Sequence, residues 1–208
     1  MNKLFTAVVG LALSATALSA SAQKSYTEGL AVYEANGMEG KVYFKGDSSA
    51  TLIQSGPAAV KRLAFKDEYS ATVIDVPVAS IKWAAVATPG ELEEELAGLP
   101  SFTFTPTSET KVINGFKCTK VTAKDTKSNT TYDTWVTKDI SAPSSAFGMM
   151  YAKAGGFPVQ FTMSMMGQTI TNTLKAISDS KAPAGTFGIP AGFERITMTE
   201  LKARSPKR

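Results

Sequence analysis

The chain contains no histidine, and one cysteine, in 208 residues. Without histidine, both the commonest general base and the commonest metal ligand are missing. A Ser-His-Asp or Cys-His nucleophile is excluded. A zinc site would have to be built from carboxylates, because a lone Cys supplies no thiolate cluster. A single cysteine also forms no intramolecular disulfide. There is no G-x-S-x-G elbow, G-x-G-x-x-G turn, P-loop or D-x-D-x-D-G calcium loop. Acids such as Asp133 and Asp139 stand in no pattern that marks a hydrolase. The expectation is therefore a protein that is not an enzyme, with no catalytic residue, no metal and no cofactor.

What is present begins with an address. Lys3 supplies a positive charge, Leu4 to Leu18 a short apolar run, and Ala20-Ser21-Ala22 an A-x-A cleavage site. These are the parts of a secretory signal peptide, so residues 1–22 are expected to be removed near Ala22. The run is short and rich in Ala and Ser for a membrane-spanning helix, and no Cys follows it to carry a lipid anchor. The product is expected in the periplasm of a Gram-negative envelope. Removal takes Lys3 and no acid, leaving 21 basic and 18 acidic residues, a net charge of +3. The remaining 186 residues suffice for one domain with a substantial core. Lys202, Arg204, Lys207 and Arg208 crowd the end, so a single domain over 23–200 followed by a basic flexible tail at 201–208 is expected. No basic face interleaved with aromatics suggests nucleic acid.

Short apolar stretches separated by Gly, Pro, Asp, Asn and Ser predict strands through most of the chain. They fall at residues 26–33, 41–45, 50–54, 60–66, 69–76, 80–86, 102–105, 116–123, 130–138, 158–166, 169–178 and 194–199. One helix is well signalled: Thr88 as cap, Pro89 at the first helical position, Glu91 completing a capping box and Gly98 as the stop. Leu92, Leu96 and Leu99 form its apolar stripe. Its glutamates Glu91, Glu93, Glu94 and Glu95 suit a helix N-terminal region better than a catalytic cluster. A second, weaker helical stretch is expected over 143–153.

Val159, Phe161, Met163 and Met165 alternate with polar residues up to Gly167-Gln168, where a two-residue turn suits a hairpin. That turn would pair Met165 with Ile170, Met163 with Asn172 and Phe161 with Leu174. Five of the eight methionines, Met149, Met150, Met163, Met165 and Met166, lie in this region. Such soft side chains either fill a core or line a surface that accepts varied apolar ligands. Cys118, in an alternating stretch, is expected to be buried, with intermolecular pairing as the other option.

Several short motifs carry a resemblance. Ile113-Asn114-Gly115-Phe116-Lys117-Cys118 is followed by Trp135-Val136-Thr137-Lys138-Asp139, then by Gly156-Phe157-Pro158 leading into the Met-rich hairpin, then by Phe187-Gly188-Ile189-Pro190-Ala191-Gly192-Phe193. This order resembles an uncharacterised family of exported bacterial domains, and is similar to the C-terminal half of the LolA/LolB-type lipoprotein carriers. The resemblance implies a mainly β (α+β) fold: a strongly curved antiparallel sheet forming an incomplete barrel, with one or two helices on the concave side. It implies an apolar ligand, lipid or lipoprotein acyl chains, held between sheet and a plug helix. The site would comprise Trp83, Leu92, Leu96, Phe102, Phe104, Met149, Met150, Phe161, Met163 and Met165. The alternative is a non-catalytic envelope interaction or scaffold protein with a filled core and a transient envelope partner.

Overall fold

The structure, a computed structural model, describes residues 23–165 and 168–205. The expected signal peptide at 1–22, residues 166–167 of the expected hairpin, residues 206–208 and the side chains of Ser164, Met165 and Gln168 lie outside this description.

The first half is a meander: β1 (Lys24–Ser25), β2 (Glu28–Ala35), β3 (Met38–Lys45), β4 (Ser48–Ser55), β5 (Ala58–Phe65), β6 (Tyr69–Val76) and β7 (Ile81–Val86). Helix α1 (Pro89–Gly98) then leads to β8 (Phe102–Ile113), β9 (Phe116–Asp125), β10 (Thr131–Thr137) and β11 (Ile140–Ser141). The chain closes with β12 (Phe157–Met165), β13 (Gln168–Ser178), β14 (Glu194–Ile196) and helix α2 (Met198–Arg204). Two hairpins turn on Asn-Gly pairs, Asn36-Gly37 (φ 51° and 76°) and Asn114-Gly115 (φ 47° and 85°). These left-handed conformations match the twist of the flanking strands.

Twelve strands form one sheet in the order β14-β7-β6-β5-β4-β3-β2-β13-β12-β10-β9-β8. Antiparallel pairing of β13 with β2 joins the two halves, and only β14 runs parallel to its neighbour, β7. The sheet must curl. From β7 to β8 there are ten inter-strand steps, about 48 Å if flat at ~4.8 Å each. The connection through α1 reaches much less: ten helical residues span about 15 Å. The other five, residues 87–88 and 99–101, add at most ~17 Å. The sheet is an incomplete barrel, open between β8 and β14, with α1 strapped across its concave side.

Side chains alternate across the pleat, so register assigns each to a face. On the concave face of the second half lies the larger core, built on Val121, Val136, Val159, Phe161 and Leu174 and reaching across to Tyr33 and Phe44. Tyr151 fills it. Its ring, fully buried, packs at 4.6 Å from that of Phe161, 5.3 Å from Phe102 and 6.1 Å from Phe104. A smaller core, Ala50, Leu63, Ala71, Val73 and Ala84, lies on the convex face of the first half, where Phe187, Ile189 and Phe193 cover it. Lys61 Nζ donates to Gly188 O at 2.6 Å and holds that covering segment down.

Four local expectations differ from what forms. The stretch expected as a helix over 143–153 makes two 3-10 turns, Ser144–Ala146 and Met149–Tyr151. The Met-rich hairpin pairs Met165 with Gln168, Met163 with Ile170 and Phe161 with Asn172, two residues out of the expected register. A two-residue slip keeps parity, so the same side chains share a face. The last strand stops at Ile196, where Thr197 caps α2 through a capping box with Glu200. Residues 201–204, read from sequence as the start of the tail, complete that helix.

Candidate functional site

Strand register places one line of side chains straight across the concave face of the first half. Tyr33 stands opposite Gly40, Gly40 opposite Ile53, Ile53 opposite Val60, Val60 opposite Ile74 and Ile74 opposite Trp83. Ile53 is 40% exposed, and Val60, Ile74 and Trp83 are half-buried. None of these four belongs to either core. Gly40 leaves a gap in the line: a Cβ there would meet nothing nearer than Ile53 Cγ1 at 3.9 Å. Glycine inside a strand weakens it and marks a place where something else approaches the backbone. The next line along the strands is polar at its centre, with Thr51, Arg62 and Thr72 side by side.

Helix α1 faces this wall. Its half-buried residues are Glu91, Leu92, Glu95 and Leu96, joined by Leu99 just past its end, while Glu93, Glu94, Ala97 and Gly98 are exposed. No residue of the helix is fully buried. Both ends are tied. At the start, Glu91 Oε2 accepts from Thr88 N at 2.8 Å, and Oε1 accepts from Thr199 N at 2.7 Å and Thr199 Oγ1 at 2.6 Å. At the end, Lys127 Nζ donates to Leu99 O at 2.6 Å and to Ala97 O. Between them Glu95 forms an ion pair with Arg62.

These contacts set the electrostatics. The Thr199 hydroxyl, then the Thr88 and Thr199 amides, pull Glu91 down to about 2. Partial burial lowers Arg62 from its ordinary value, as expected for a cation on an apolar wall. Elsewhere, burial pushes the Cys118 thiol up to about 11. That thiol is 2% exposed and donates to Phe116 O at 3.4 Å.

The residues expected to form the site separate into two groups. Phe102, Phe104, Met150, Phe161 and Met163 pack in or against the core around Tyr151. Trp83, Leu92 and Leu96 border the open wall, with the Arg204 guanidinium 5.2 Å from the Trp83 ring centre. Met149 is 44% exposed, and the Met165 side chain lies outside the description. Ile53, Val60, Ile74 and Arg62 were missed by the sequence reading. Their signal was the alternation Val60, Arg62, Ala64 against Ala59, Lys61, Leu63, which is apolar on both faces and so names neither.

Two grooves are present. One of about 620 Å³ runs mostly past convex-side residues, Leu52, Val73, Phe193, Lys61 and Asp75, and reaches Ile53 and Val60 of the wall. The other, about 570 Å³, lies beside Lys138, Phe147 and Phe157. Neither includes a residue expected from sequence to bind ligand.

Comparison with known proteins adds the architecture. A family model described as "Domain of unknown function (DUF4412)" matches residues 96–193, from the end of α1 to the segment over the convex core. No curated protein matches the sequence. Among solved structures, PNGF-II in a P21 space group is similar with a TM-score of 0.52 at 11% identity, over 85% of this chain and 32% of that one. PNGF-II in a C2 space group gives 0.46 at 14% identity, over 85% and 32%. The chain thus spans about a third of the length of PNGF-II, and the likeness is one of fold alone.

Proposed function

We propose that this is an exported, periplasmic binding protein that holds a lipid-like ligand between the curved sheet and α1. One observation carries the reading. The line Ile53, Val60, Ile74 and Trp83 is apolar, incompletely buried and outside both packed cores. Opposite it stands a helix whose half-buried face carries Leu92 and Leu96, with Leu99 just past its end. Apolar surface left unpacked on a concave wall is the ordinary property of a ligand site.

The energetics are adequate. Each methylene buried contributes ~0.8 kcal/mol, so a chain of about sixteen carbons offers roughly 13 kcal/mol gross against an association cost of ~4–15 kcal/mol. Export is supported by the signal-like Lys3, the Leu4 to Leu18 run and Ala20-Ser21-Ala22. Free lipid and the acyl chains of a lipoprotein both suit this chemistry.

A second reading, an envelope scaffold with a filled core, is favoured by Tyr151, which occupies the space that the Phe102, Phe104 and Phe161 side chains would otherwise leave. Native mass spectrometry of the protein recovered from the cell envelope, with solvent extraction of any adduct, separates the two. A stoichiometric lipid adduct that is absent from a folded Val60→Asp variant supports the carrier. A clean apo mass that takes up no added lipid supports the scaffold.

A further inference from the structure

Arg62 is the cation that β5 places at the middle of the concave face, while Lys117 shares that face by register only at the far end of β9, where it is exposed. The neighbours of Arg62 in line are Thr51 and Thr72, and Val60 precedes it on the same face of β5. The other charged groups sharing that face are acids at the margins. Glu194 is taken by Arg204, with both bonds at 3.0 Å. Asp125 accepts from Ser101 N, Lys127 N and Ser128 Oγ at the other edge. A guanidinium beside an apolar wall is costly unless a carboxylate meets it. Here the carboxylate comes from Glu95, in the middle of α1.

From this arrangement we infer that the ligand is a long-chain fatty acid anion, whose carboxylate displaces Glu95 from Arg62 and whose chain lies along the Ile53–Val60–Ile74–Trp83 line. The inference rests on the apolar-ligand reading above. Three features argue for it. Glu95 shows that the Arg62 site accepts a carboxylate. The Arg62 side chain is 52% exposed, so an incoming head group reaches it from solvent. Helix α1 is held at its two ends by Thr199 and Lys127, so Glu95 can leave Arg62 without undocking the helix. A head group at Arg62 lies two residues along β5 from Val60, roughly 7 Å. The first methylenes of the chain therefore meet the apolar line at its centre.

The test is competition of sodium oleate and of oleyl alcohol against Nile red on the purified, delipidated protein. Oleate and the alcohol share a chain and differ in charge. The wild type is expected to prefer oleate by about tenfold or more, the factor one charge-assisted hydrogen bond supplies. Arg62→Gln is expected to erase that preference and leave the alcohol unchanged. Glu95→Gln, which removes the internal competitor, is expected to tighten oleate several-fold without affecting the alcohol. If both ligands bind and Arg62→Gln leaves their ratio as in the wild type, the head-group assignment is overturned while the apolar site stands. If neither displaces Nile red from the wild type, the apolar site itself falls. Should Arg62→Gln not fold, Glu95→Gln decides, and unchanged oleate affinity there overturns the assignment.

Discussion

Glu91 and Thr199 join the two helices through one oxygen: Glu91 Oε1 accepts both the Thr199 amide at 2.7 Å and its hydroxyl at 2.6 Å. The other oxygen caps Thr88. One carboxylate thus satisfies backbone donors at the N-termini of α1 and α2, donors that a helix leaves open.

A pH dependence follows. With the folded carboxyl held at about 2 and the ordinary value at 4.5, the contact stabilises the fold fully above pH 4.5. Its contribution is lost as pH falls from 4.5 toward 2. Amide protection factors at Leu201–Ser205, each rate being divided by the intrinsic rate at the same pH, should fall across that interval in the wild type. Glu194, also lowered, by Arg204, loses its own contribution in the same direction as pH falls. Glu91→Gln should show faster exchange already at pH 6 and a flatter profile below it. Identical profiles in the two proteins would remove Glu91 from the docking of α2.

Gly40→Phe should block ligand without harming the fold. The position has no positive-φ requirement, and a Cβ there has open space, its nearest contact being 3.9 Å away. A phenyl ring would occupy the gap between Tyr33 and Ile53. Lipid uptake should fall at least tenfold while the thermal midpoint stays within about 2 °C, a shift below that of a 1 kcal/mol change. Unimpaired uptake in the variant would place the ligand elsewhere.

Tyr151 is the stability anchor of the larger core. Tyr151→Ala should cost about 3–5 kcal/mol, the range for removing a large buried aromatic side chain. Tyr151→Phe loses only the 2.8 Å bond to Thr162 O and should cost about 1 kcal/mol. Urea unfolding measures both. A loss under about 1 kcal/mol for the alanine variant would mean that the surrounding rings close the space, contrary to a tightly filled core.

Cys118 should be inert in the folded protein. Burial raises its thiol to about 11, so thiolate is scarce at pH 8. Ellman's reagent should react slowly with native protein and within minutes in urea. Fast native reaction would contradict the burial.

Much of the strand pattern was legible because it is local. Residues 69–76 alternate strongly enough for the strand to form with those bounds, and Thr88, Pro89 and Glu91 together announce α1 before any tertiary contact exists. The concave face was not legible. Val60 and Leu63 lie on opposite sides of β5, and nothing near them in sequence says which side is covered by Phe187 and Phe193 and which faces α1. That choice is made by contacts more than a hundred residues away, such as Lys61 with Gly188. The methionines drew attention by their density, yet Met150 and Met163 pack against Tyr151's core. The partner of Arg62 is likewise a residue 33 positions distant.

The connection from β7 to β8 has a consequence for engineering. Because a covalent span of fixed length ties the edge strand β8 to β7, one strand in from the other edge, the aperture of the half-barrel is set by residue count as well as by packing. Each residue added near Pro100 would let out about 3.5 Å of tether. A series of insertions there would act as a calibrated gauge, trading curvature for width and changing the size of guest admitted without altering the wall.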